Sequence, residues 1–262
     1  MRELIKAELY KMRQSKLFVI LLIIIAAQAV MQTALVYIVQ NDLFTVGRDA
    51  EVLAINFALT GQNGVLMLNN ALLILPVCLA AFVGMFVAAE FQNNTVRAAL
   101  ALGKKRETIY FSKLFSSCTA IAIFLIVSVA ATTLCMTLFF GFGNMPFTQY
   151  LIQLFTTLRF HFFLFSTFAS VFCMIAFLCR NTGAAIIIGV VYFLVMMSLS
   201  SLFGTFDTFA FLAKGLPSYY ISSANDLISK SGFLAGAVTV TLSYIAVSTA
   251  TGLFVFRKAD IK

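Results

Sequence analysis

The sequence predicts an all-α protein of six membrane-spanning helices, on three grounds. Of 262 residues, 61% are hydrophobic and 11% charged, against roughly 45–50% and about 25% in a soluble domain. With a mean hydropathy of +1.00, most of the surface cannot face water. The apolar residues also gather into six runs near the ~20 residues that a helix needs to cross a hydrocarbon layer.

The lead, MRELIKAELYKMRQSK, is read as a basic amphipathic helix over residues 1–16. Leu4, Ile5, Leu9 and Met12 share one face, while Arg2, Lys6 and Arg13 gather on another. Such a helix suits the inner membrane interface. The first run follows as a span over 17–39. It is too long for a signal-peptide core and has no small-residue cleavage site, so it is expected to stay in the membrane. A polar connection over 40–64 carries Asp42, Arg48, Asp49 and Glu51.

The second span covers 65–89. Pro76 within it removes a backbone donor and predicts a kink that serves packing or a hinge. Ala80, Gly84 and Ala88 form a small-residue ladder on its surface, as Gly232 and Gly236 do on the sixth span. Both suit close helix packing, within one subunit or against a second.

Spans two and three are joined by the stretch AAEFQNNTVRAALALGKKRETIYFSKL. Glu90 closes the apolar run. Thr95 can cap a short helix whose apolar stripe is Val96, Ala99 and Leu100, and Gly103 can end it. Lys104, Lys105 and Arg106 follow as a basic cluster able to pair with lipid phosphates or with a partner's acids. Composition alone leaves two readings level: a plug for a groove on a soluble partner, or an ordinary basic loop.

Spans three to six are predicted over 114–139, 157–179, 183–203 and 232–256, and the chain is read as a single domain, 1–262. The connection after span five holds Phe209, Phe211, Leu212, Tyr219 and Tyr220, enough apolar character for short interfacial helices.

Charge placement sets the topology. With the N-terminus inside, the inner pieces hold Arg2, Lys6, Lys11, Arg13 and Lys16, then Arg97, Lys104, Lys105, Arg106 and Lys113, then Arg180, Arg257, Lys258 and Lys262. The outer pieces hold only Arg48, Arg159, Lys214 and Lys230. Both termini are therefore expected in the cytoplasm. The net charge of +8 speaks for this bias rather than for nucleic acid.

Several functions find no residues to carry them. The phosphate-binding pattern G-x-x-x-x-G-K-[ST] is missing, and ALGKKRE has only its Gly-Lys pair. His161 is the sole histidine, too little for a zinc protease, and is read as a polar residue at the outer interface. Cys78, Cys118, Cys135, Cys173 and Cys179 lie in apolar runs without zinc or redox spacing. The spans hold no mid-membrane acid or lysine that could couple transport to an ion gradient, so energy for uphill movement would have to come from outside the membrane.

The order of these features resembles the permease subunits of the ABC-2 family of ATP-driven exporters: a basic elbow helix, six spans, and between spans two and three a Glu, then Thr-x-Arg, a small apolar helix, and Gly followed by Lys/Arg. The lead LIKAELYKMRQSK and the tail FVFRKADIK are similar to the bacitracin- and lantibiotic-immunity branch. The resemblance implies that residues 95–103, with Glu90 at the membrane exit, form the coupling helix that docks on an ATPase. It implies two separately encoded ATPase subunits that carry ATP and Mg, none bound by this chain, and a second permease, either another copy or a paralogue. It also implies a hydrophobic or amphipathic cargo such as an antimicrobial peptide, and a bacterial cell membrane. The rival reading, a six-span membrane enzyme or a scaffold that transports nothing, would need a converging polar site that the sequence does not display.

Overall fold

The computed structural model describes residues 2–40, 60–62, 64, 74–206, 209–222 and 231–258. The polar connection expected over 40–64 lies mostly outside them, as do 65–73 of the second span and 223–230 of the connection after span five.

The described residues form helices joined by short links. Helix α1 (Arg2–Gln14) is followed after Ser15 by α2 (Lys16–Gln40). Helix α3 (Ile74–Gln92) contains a π segment at Gly84–Ala88. The connector holds α4 (Thr95–Ala101), and then come α5 (Arg106–Phe140), α6 (Phe147–Cys179) and α7 (Thr182–Thr205). Two short helices, α8 (Ala210–Ala213) and α9 (Pro217–Ser222), precede α10 (Ser231–Lys258). Six of these, α2, α3, α5, α6, α7 and α10, have the length and hydropathy to cross a membrane. In lipid the helix is the available solution for a single segment, because each backbone polar group must be paired within it.

Two spans are longer than their apolar runs. Helix α5 begins at Arg106, eight residues before the predicted start, and α6 begins at Phe147, ten before. At 1.5 Å per residue α5 is roughly 50 Å long, against a hydrocarbon layer of about 30 Å. Its first two turns therefore extend the span toward the connector.

Helix α6 is the centre. It packs on α3, α5, α7 and α10, and Phe165, Phe168, Ala169, Phe172, Cys173 and Phe177 are buried along it. Buried hydroxyls on α5 are satisfied inside the helix: Ser116 Oγ donates to the Ser112 carbonyl at 2.8 Å and Ser117 Oγ to that of Lys113 at 2.9 Å. By contrast α2 and α7 turn Ile20, Ile23, Ile187, Val191 and Val195 outward, as helices with lipid as their solvent do.

The ladder on α3 packs inside the chain. A Cβ on Gly84 would lie 2.6 Å from Ile186 Cγ1, and one on Gly189 would lie 3.3 Å from Ala80 Cβ, so Ala80 and Gly84 admit α7. Ala88 is fully buried. Gly236 likewise seats the Tyr220 hydroxyl, while the surroundings of Gly232 lie outside the described residues. Pro76 falls in the first described turn of α3. The departure from α geometry within that helix is the π segment at Gly84–Ala88, which the sequence reading did not anticipate. The short helices expected after span five are present as α8 and α9, packed back on α7. His161 is not at an interface as expected: it is fully buried, with Nδ1 2.9 Å from the Thr157 carbonyl oxygen.

Candidate functional site

The connector between α3 and α5 is built by local rules. After Gln92 the chain turns at Asn93 and Asn94, and Asn94 takes the left-handed conformation (φ 58) that asparagine tolerates better than most residues. Helix α4 then runs for two turns and ends in a Schellman motif: Gly103 N–H donates to the Leu100 carbonyl at 2.9 Å and Lys104 N–H to that of Ala99 at 3.2 Å. Gly103, with φ +77, is the left-handed residue this motif requires. Thr95 does not cap the helix as predicted. It is the first helical residue, and its hydroxyl donates backward to the Glu90 carbonyl at 3.1 Å, fastening α4 to the end of α3.

The apolar stripe of α4 faces the chain itself. Val96 is 2% exposed, and Ala99 and Leu100 pack against the same core. The opposite face carries Arg97, Ala98, Ala101 and Leu102, with Lys104 and Lys105 beyond it, all exposed, Leu102 at 80%.

Beneath α4 lies an ion cluster that the sequence reading missed. Lys113 Nζ pairs with Glu8 Oε2 of α1 and, at 2.7 Å, with Glu90 Oε1 of α3. Lys11 Nζ reaches Glu90 Oε1 at 3.0 Å and Glu8 Oε1 at 3.3 Å. Side-chain exposure is 1% for Lys113 and 3% for Glu8, then 16% for Glu90 and 50% for Lys11. Two acids and two bases balance. The Lys113 ammonium also sits 4.3 Å from the Phe86 ring centroid, inside the π segment. Partial burial lowers the pKa of Lys11, but its hydrogen bond to Glu90 and the charges of Glu90 and Glu8 outweigh that, leaving it above the ordinary lysine value. Breaking a buried pair by removing one partner costs about 3–5 kcal/mol, so the cluster holds α1, α3 and α5 together at the connector end.

The signal for this cluster was present. Glu8 lies four residues after Leu4 and four before Met12, on the apolar face of α1. A carboxylate there must meet a cation when that face is buried. Leu4 and Leu9 pack on the core and Met12 is buried, with Ile5 half-buried beside them; α1 lies against α5. Lys113, read as a loop cation, is buried because α5 starts earlier than its apolar run.

A second anchor ties α5 to α10. Arg106 Nη1 donates to the carbonyls of Phe256 at 2.8 Å and Arg257 at 2.7 Å, among the last carbonyls of α10, where the helix dipole favours a cation. Glu107 pairs with Arg257. Gly252 lets Tyr110 approach: a Cβ there would lie 2.5 Å from the phenol oxygen. Arg106, expected to face lipid or a partner, thus serves the chain itself. Phe91, Phe177 and Phe256 complete this end, with centroids 4.8–6.1 Å apart. The predicted site residues therefore divide: Glu90, Val96, Ala99, Leu100 and Arg106 point inward, Thr95 is exposed but bound back to Glu90, and Arg97, Lys104 and Lys105 remain outside.

Six apolar helices and a short outward-facing connector helix, fixed from beneath by ions, define a multi-pass α-helical membrane protein. The family described as ABC-2 family transporter protein matches residues 4–196. The chain belongs to that family, whose members are membrane components of transporters powered by ABC ATPases. No curated protein matches the chain significantly.

Proposed function

We propose that the chain is the permease subunit of an ATP-driven exporter, assembled with a second permease and two separately encoded ATP-binding subunits. The observation that carries this reading is the two-faced α4. Its inner face and Thr95 fasten it to the spans, and its outer face offers Ala98, Ala101 and Leu102 beside Arg97, Lys104 and Lys105. An exposed leucine ringed by small residues and cations suits a groove with an acidic rim. A push on α4 would pass to α1, α3 and α5 through Glu90 and Lys113, and to α10 through Arg106. ATP and Mg would sit on the partner, since this sequence has no phosphate-binding motif.

The excess of Lys and Arg in the inner pieces supports a cytoplasmic connector and cytoplasmic termini. The absence of acids and lysines from mid-span supports a hydrophobic or amphipathic cargo moved outward across a bacterial cell membrane, with an antimicrobial peptide as the cargo the similarity of lead and tail favours. The test is co-purification: the tagged chain should bring down an ATP-hydrolysing polypeptide and be inert to ATP when stripped of it. Hydrolysis by the stripped chain would overturn the reading.

A further inference from the structure

A cavity of about 370 Å³ opens between α6, α7 and α10, within the range of small-molecule sites. Val171, Met174 and Val247 give it apolar walls, and no charged residue lines it. Its other lining groups bear hydroxyls. Three of these are satisfied by the chain: Ser243 and Thr251 donate to the carbonyls of Val240 and Val247, both at 2.8 Å, and Ser248 pairs with Ser170 at 2.8 Å. The remaining two, the phenols of Tyr192 and Tyr244, have no hydrogen-bond acceptor among the described residues.

Their depth makes this significant. Tyr192 lies ten residues into α7 and Tyr244 fourteen before the end of α10, about 15 and 21 Å along helices that rise 1.5 Å per residue. Against a hydrocarbon layer of about 30 Å, both phenols stand near mid-span, where water is scarce and an unpaired O–H is costly. Two donors in an apolar, uncharged cavity call for an acceptor that brings its own hydrocarbon. A charged head would be stranded there without a counter-ion.

We propose that this cavity binds a neutral glycerolipid, its acyl chain against Val171, Met174 and Val247 and an ester carbonyl accepting from Tyr192 and Tyr244. The inference needs the six-span architecture but not the ATPase reading, so either can fail without the other.

The test uses the full chain in phosphatidylcholine nanodiscs with a diacylglycerol bearing a diazirine in one acyl chain. Labelling should saturate, map to peptides containing Val171–Met174 and Ser243–Thr251, and be competed by unlabelled diacylglycerol but not by phosphatidylglycerol. Tyr192→Phe with Tyr244→Phe keeps the cavity's shape and removes both donors. It should raise the half-saturating concentration roughly tenfold, as the loss of two ordinary hydrogen bonds implies. Val247→Trp, at the exposed rim, should abolish labelling and provides a readout if the double variant does not fold. Labelling that never saturates, maps elsewhere in the wild type, or survives Val247→Trp would mark ordinary lipid contact, or cover by a second copy of the chain, and overturn the proposal.

Discussion

Lys113→Met leaves Glu8 and Glu90 facing one another across a space the methionine cannot neutralise. Glu8 and Lys113 are almost wholly buried, so the loss belongs to the buried-pair class at about 3–5 kcal/mol rather than the surface class of ~0–1 kcal/mol. Lys11 is half exposed and can offset little. At about 1.4 kcal/mol per tenfold, the unfolding equilibrium should shift by two orders of magnitude or more. Adding Glu8→Gln removes the stranded carboxylate and should restore most of the loss, because an isosteric apolar or neutral replacement of a buried pair is often nearly neutral. The chain has no tryptophan, but Cys78 and Cys173 are buried free thiols, so unfolding in detergent can be followed by a thiol-reactive dye. Wild-type stability in Lys113→Met, or no recovery in the double variant, would refute the electrostatic account of this end.

Three further outcomes follow from the same geometry. Gly84→Ala should destabilise the fold by about 1–3 kcal/mol, because its Cβ meets Ile186 of α7 at 2.6 Å; the same dye assay reads it, and an unchanged midpoint would contradict the packing of α3 on α7. Lys11 has a raised pKa, so its contribution is complete below the unfolded value of about 10.4 and disappears as pH rises through the higher folded value; Lys11→Met should therefore flatten the loss of stability as pH rises above about 10.4, read by the dye-independent midpoint of a heat scan, and an unchanged slope would contradict the pairing. In a background without native cysteines, Lys214→Cys and Gln149→Cys should label from outside intact cells with an impermeant thiol reagent, and Lys105→Cys should not; all three positions are exposed in the fold, so burial would not explain silence.

Hydropathy made the six spans legible, and turn chemistry made the end of the connector helix legible at Gly103, because both are properties of local sequence. What the sequence did not reveal was direction. The Val96–Ala99–Leu100 stripe reads equally well as a face for a partner or for the chain's own core, and only the tertiary fold turns Val96 inward. Glu8 and Lys113 stand 105 residues apart, and each alone looks like a flanking charge. Their pairing depends on α5 continuing through Lys113 to Arg106, beyond the apolar run that defines the span. Arg106 shows the same thing at longer range: its partners are carbonyls of α10, and a backbone acceptor leaves no mark in the sequence. The small-residue ladder of α3 was visible, but not that α7 fills it.

The claim that α4 presents its outer face to an ATPase is tested most directly by co-purification from the native genomic context, with bound nucleotide-binding polypeptide detected by azido-ATP labelling. Leu102→Asp alters an exposed residue at the helix end, so the chain should insert and keep its wild-type stability while recovery of the labelled partner falls at least tenfold, since burying an unpaired carboxylate at a contact costs several kcal/mol. Wild-type recovery of the partner by a well-folded Leu102→Asp chain would contradict the account.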